Sequence, residues 1–147
     1  MESSEMRRLV IDSAFVTQML LKKGFEKIDT YLKEFGLVRT HASILYTLLY
    51  SHELTMSDLS KRLYVTKPNI TLLVDKLEKL NLVERVNTSE DRRIFLIRLS
   101  EKGNVFIQEH TDRLVESYMD TFKNLDEKEM KLFKESIATL KSLMLKL

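Results

Sequence analysis

"TMSDLSKRLYVTKPNITLLVDKLEKL", Thr55 to Leu80, carries two helix starts in close succession. Thr55 followed by Asp58 makes a capping-box-like start, and the acid suits the positive end of a helix. The helix so begun stops near Leu63. Thr66 can serve as the N-cap of the next helix, with Pro68 in the first turn, where its missing N–H costs little. Ile70, Leu73, Val74 and Leu77 form the buried stripe of this second helix. Asn81 ends it in the role of a left-handed residue. Two short helices across a tight turn read as a helix–turn–helix. In that motif one helix braces the other, and the N-terminal residues of the second meet base edges in the DNA major groove. Here those residues are Thr66, Lys67, Pro68, Asn69 and Thr71. Asn can read adenine, Lys guanine or a phosphate, and Thr can offer a hydroxyl or a methyl. Free N–H groups at a helix start can also hold a phosphate. An ordinary solvated helix explains this window equally well.

The next stretch shifts the balance. "LVERV" (82–86) reads as a strand, "NTSED" (87–91) as a turn and "RRIFLIRL" (92–99) as a second strand. A hairpin directly after a helix–turn–helix is a wing. Arg92 and Arg93 stand side by side at its tip, and arginine is favoured in narrow minor grooves. Asp91 would repel phosphate if unpaired, but a carboxylate beside a guanidinium can hold it in one rotamer. A surface ion pair of little energetic weight is the alternative.

Outward from this centre the pattern is helical. Met6, Leu9, Val10, Val16, Leu20, Leu21, Ile28, Leu32 and Phe35 recur at helical spacing from about Ser4, interrupted at Gly24 and ended by Gly36. A second helix reads from Arg39 to Ser51, with Ala42, Leu45, Leu48 and Leu49 on one face. Ser100 caps a helix through Phe106, Ile107, Leu114, Tyr118 and Phe122. Asp126 and Glu129 form another capping-box-like pair. Met130, Phe133, Ile137, Leu140, Met144 and Leu147 then alternate at spacings of 3 and 4, a heptad-type seam. Apolar stripes this long exceed what one short domain covers, so a second subunit is expected, with intramolecular packing as the alternative.

Composition bounds the function. The 147 residues suit one domain; 44% are hydrophobic and 31% charged, as in an ordered cytoplasmic protein. No apolar run approaches membrane length, and the N-terminus lacks a secretory pattern. The absence of cysteine excludes disulfides and thiol chemistry. His41, His52 and His110 lack metal-ligand spacing, so no metal and no cofactor is expected. No phosphate loop or nucleophile motif suggests an enzyme. Thr55 to Gly103 holds ten Lys/Arg against seven Asp/Glu, a net of +3 within a chain of net +2.

From Leu54 to Gly103 the chain resembles the winged helix–turn–helix of the MarR family of transcriptional regulators. The resemblance covers the whole chain in element order, with its specific motif between Leu59 and Gly103. The family's wing pattern is matched by Asp91, Arg92, Arg93, Leu99, Ser100, Lys102 and Gly103. Ser100 stands where Thr is usual, Asn81 where Gly is usual, Tyr64 where a small turn residue is common, and Val38 where a capping hydroxyl is expected. The resemblance implies a mainly α fold: a winged helix–turn–helix lobe with a two-stranded β-wing at 37–103, and dimerisation helices at 1–36 and 104–147. It also implies a homodimer on a pseudo-palindromic double-stranded DNA operator, most commonly as a repressor. Arg93 would enter the minor groove, Asp91 would support it and Arg92 would lie nearer the phosphates. A small aromatic or phenolic effector would bind near Tyr31, Phe35, Arg39, His41, Tyr46 and His110. Ordinary core packing is the alternative for the aromatic residues there. A winged-helix protein-interaction module and an activator are the competing functions.

Overall fold

The computed structural model describes residues 3–87 and 95–144. Among them the elements run α1 (Ser3–Glu34), α2 (Arg39–Ser51), β1 (Glu53–Thr55), α3 (Met56–Arg62), α4 (Lys67–Lys79), β2 (Val83–Asn87), β3 (Phe95–Leu99), α5 (Glu101–Phe122) and α6 (Glu127–Met144). The expected winged helix–turn–helix is there, and α1 is unbroken through Gly24. The sheet has one strand more than the hairpin. β1 joins the far edge of β3, giving the antiparallel order β1-β3-β2. Leu54 pairs with Ile97 on that edge, and Val83 with Leu99 on the other.

Local chemistry sets where helices begin and end. Thr55 Oγ1 accepts the Asp58 N–H at 3.1 Å and donates to the Asp58 carboxylate at 2.6 Å. Those hydrogen bonds from Thr55 hold the Asp58 carboxyl below its ordinary value. Asp126 and Glu129 exchange the same kind of bonds at the start of α6. α2 lacks a capping hydroxyl at Val38, but His41 supplies one half of a box: the Val38 N–H donates to His41 Nδ1 at 3.0 Å. His52 after α2 also has positive φ, and three other helices end on a left-handed residue, Gly36 after α1, Tyr64 after α3 and Asn81 after α4. Each end carries the paired backbone bonds of a Schellman turn. At α4, the Asn81 N–H reaches Glu78 O and the Leu82 N–H reaches Leu77 O. Tyr64 bears a Cβ in this region at a cost of about 1 kcal/mol, with its side chain 98% exposed.

Contacts divide the chain into two compact units, Phe25–Leu114 and the pair Met1–Gly24 with Val115–Leu147. The first holds a core built from Ile28, Leu32, Ile44, Leu45, Leu59, Ile70, Leu77, Ile97 and Ile107, with Ala42 and Leu48 beside them. Leu49, expected on that inner face of α2, is exposed. In the second unit Tyr118 stacks on Phe122, Phe122 meets Phe133, and the Tyr118 hydroxyl donates to Leu20 O.

The start of α5 is clamped onto the corner between α4 and β2. Ser100 donates its N–H to Leu82 O at 3.2 Å and its hydroxyl to Asn81 O at 2.5 Å, while its Oγ accepts the Gly103 N–H at 2.9 Å. Lys102 Nζ donates to Leu80 O at 2.9 Å. A Cβ on Gly103 would lie 1.9 Å from Leu82 O, a backbone atom that no rotamer change can move. Gly103→Ala is therefore expected to destabilise the fold by at least about 2 kcal/mol, as overpacking does. Thermal denaturation followed by circular dichroism checks this, and an unchanged midpoint would contradict the contact.

Candidate nucleic-acid interface

α4 turns one face to the core and the other to solvent. Ile70, Val74 and Leu77 are fully buried, whereas Thr66, Lys67, Pro68, Asn69 and Thr71 are exposed together around its N-terminus. α3 braces the helix from behind through the buried Leu59. Thr66 occupies the N-cap with extended dihedrals, but contrary to expectation its hydroxyl makes no capping bond. The Thr71 hydroxyl donates to Lys67 O at 3.0 Å, which commits its proton and leaves its two lone pairs as acceptors.

The charge of this face is set from the wing. α4 carries two carboxylates, Asp75 and Glu78, which would repel a polyanion. Arg85 on β2 bonds to Asp75 and lies 3.3 Å from Glu78. One arginine thus compensates both acids, leaving Lys67 and Lys79 to dominate the exposed surface. Lys76 donates to Gly36 O, tying α4 to the end of α1. Arg98 and Glu84, opposite each other on the strands, pair at 2.5 Å. Arg85 carried no signal in the sequence, because its partners are ten and seven positions away on another element. Asn87 and Phe95 close the described part of the hairpin. Asp91, Arg92 and Arg93 lie outside the described residues.

The six residues considered for an effector separate into groups. Tyr31, Phe35, Tyr46 and His110 come together through the Tyr31–His110 contact, with Phe106 against Tyr31 and Phe35. Tyr31 stacks on Phe106 at 5.4 Å, lies under Arg113 at 4.4 Å and donates to Glu109 at 3.0 Å. Burial, reinforced by Glu109, pushes the Tyr31 phenol up to about 12. Arg39 lies elsewhere, at a notch of about 310 Å³ between α1 and α2. There it forms a two-point bond with Asp29 at 2.7 and 2.5 Å. His41 is buried at the start of α2, occupied with its capping bond.

A model of the MarR family matches residues 35–94, which takes in both helices of the motif and the first strand of the wing, β2. Over nearly its full length the chain superposes on a MarR family protein from Bacillus stearothermophilus. The identity is 25%, the TM-score 0.78, and 98% of each chain is covered. Over residues 35–94 this chain is similar to the MarR family. It is 37% identical over 92 residues to the HTH-type transcriptional regulator PrsX of Escherichia coli, covering 61% of this chain and 55% of that one. It is 33% identical over 88 residues to the uncharacterized HTH-type transcriptional regulator YsmB of Bacillus subtilis, covering 60% of each. The chain thus matches little more than half the length of these curated relatives.

Two histidines of this chain, His41 and His110, are buried. His41 Nδ1 accepts a backbone N–H, so its proton sits on Nε2. In the other, the Thr111 hydroxyl is committed to Ile107 O at 2.7 Å. It therefore accepts from the Tyr46 hydroxyl at 3.1 Å, and His110 Nδ1–H donates to Tyr46 at 3.0 Å. Both Nε2 atoms are buried and without a partner among the described residues. Burial lowers both histidines below the ordinary value of 6.5, and the charge of Lys76 lowers His41 further. The unfolded chain then binds more protons below that value. Their contribution to stability is complete above pH about 6.5 and is lost as pH falls toward and through the folded values, by up to about 1.4 kcal/mol per unit for each. Melting curves between pH 8 and 5 should show this loss, and His110→Gln should flatten it. An identical slope in the variant would exclude His110 as a source.

Proposed function

We propose that this chain is a homodimeric, sequence-specific DNA-binding transcriptional regulator of the cytoplasm. It acts as a repressor, leaving a pseudo-palindromic operator when a small aromatic or phenolic effector binds. The observation that carries the reading is the N-terminal face of α4. Thr66, Lys67, Pro68, Asn69 and Thr71 are exposed together on a braced helix whose two carboxylates are held by Arg85. Such a face offers donors to base edges and positive charge to phosphates. In this reading Arg93 enters the minor groove, Asp91 orients it and Arg92 lies near the backbone.

Dimerisation is assigned to residues 1–36 and 104–147, and DNA binding to 37–103. Supporting this, Leu9, Val10, Phe15 and Val16 of α1 are more than half exposed, as are Leu140 and Leu143 of α6. Contiguous apolar helix faces of this kind call for a second subunit. The two recognition helices would then address half-sites about one helical turn apart. For the effector, the cluster of Tyr31, Phe35, Tyr46 and His110 offers aromatic walls. The tautomer of His110 leaves Nε2 as a buried acceptor, suited to a phenolic O–H. Arg39 and His41, tied to Asp29 and Val38 away from the cluster, would have to leave those partners to join it.

Affinity for the chain's own promoter region, measured at several salt concentrations, tests DNA binding. Nanomolar binding that weakens steeply with salt is expected. Lys67→Ala should weaken binding for all sequences and lower the salt slope by about 1. Arg93→Ala should cost at least about tenfold in affinity with an unchanged melting midpoint. Absence of binding at low salt would favour a protein-interaction module instead.

Light scattering after size exclusion tests the assembly. The expected mass is twice the 17.3 kDa of one chain. A stable monomer at micromolar concentration would contradict the dimer.

A further inference from the structure

Leu72 is 68% exposed in the middle of α4. A single exposed leucine is ordinary on a protein surface; its direction is what matters here. At 100° per residue, Ile70, Val74 and Leu77 define the buried direction of α4, and Leu72 falls almost opposite. It shares that outward ridge with Pro68 and Lys79. Thr71 precedes it directly, and Asn69 lies three residues before it, about one turn away. The one strongly apolar side chain on this ridge therefore stands amid the polar groups assigned to base reading.

Its chemistry restricts what it can face. Leu72 has neither donor nor acceptor. Against the major-groove edge of guanine, adenine or cytosine it would strip water from polar atoms and return no hydrogen bond. Thymine alone presents an apolar group there, its C5-methyl. Resting on the DNA-binding reading above, we infer that Leu72 is a specificity-determining residue that selects thymine by packing on its C5-methyl. Neighbouring charge favours nucleic acid over a protein partner on this ridge. Lys79 shares the ridge of Leu72 and the exposed Lys76 follows one turn on, while Arg85 compensates both acids of the helix.

The test isolates one methyl group. The full-length protein first selects a preferred duplex from random-sequence DNA. Each dT in that duplex is then replaced singly by dU, which differs only in lacking the methyl. Affinities are measured at one salt concentration for the wild-type protein and Leu72→Ala, with melting midpoints confirming that both are folded. At one symmetry-related position, wild-type affinity should fall about fourfold per half-site, the value of one buried methyl. Leu72→Ala should bind the dT and dU duplexes equally there. If no dT→dU change affects the wild-type protein, or if the loss persists in Leu72→Ala, the assignment is overturned while DNA binding stands. Failure to enrich any sequence would instead overturn the DNA-binding reading, and this inference with it.

Discussion

The backbone of Leu82 is the point on which the winged lobe depends. Its N–H closes α4 by bonding to Leu77 O, and its carbonyl accepts the first N–H leading into α5. Gly103 rests against that same carbonyl with no room for a side chain. The carbonyls of Leu80 and Asn81 would otherwise be orphans of a helix end. Lys102 and Ser100 take them up. α4, β2 and α5 are therefore fixed by one corner. Ser100, Lys102 and Gly103, part of the stretch that carried the family resemblance, hold that corner together.

Electrostatics in the lobe follows from pairing. The chain as a whole has a formal net charge of only +2. What matters is which acids are compensated locally. Asp75 and Glu78 meet Arg85, Glu84 meets Arg98, and Asp29 meets Arg39. Exposed pairs like these contribute little to stability. Their effect is on the field: the acids of α4 are neutralised in place, and its lysines are left to project. A basic surface is thus made by selective compensation in a nearly neutral chain.

Features set by neighbours in sequence were legible before the structure. The capping pairs Thr55–Asp58 and Asp126–Glu129, the left-handed ends at Gly36 and Asn81, and the Ser100 start all rest on contacts within a few residues. The wing was legible from two strand-like runs on either side of a polar turn. What the sequence concealed depends on distant partners. β1 has three residues, too few to show alternation, and is a strand because the edge of β3 is available. The cap supplied by His41 was hidden because Val38 suggested a bare start. Arg85 looked like one more surface charge until the register of β2 brought it to α4. Leu72 fell outside the apolar stripe, and a stripe-based reading passes over what points away from the core. Arg39, placed with the aromatic residues through the family resemblance, is held by Asp29 at a different corner.

The helix α1 shows why one periodic pattern can serve two purposes. Its apolar residues recur at helical spacing from Met6 to Leu32, but their burial changes along the way. Leu9, Val10, Phe15 and Val16 are exposed, whereas Ile28 and Leu32 are wholly buried. Periodicity alone does not distinguish these cases, because a face covered by another subunit and a face covered by the chain's own core need the same residues. The exposed part is costly in water at about 25 cal/mol per Å² of apolar surface. On the proposed reading that cost is relieved only by association, so the Met1–Gly24 and Val115–Leu147 unit gains its core when two chains meet. Its stability would then depend on protomer concentration, as in any assembly whose subunits complete one another. Folding of that unit and formation of the two-fold DNA-binding pair would be one thermodynamic event.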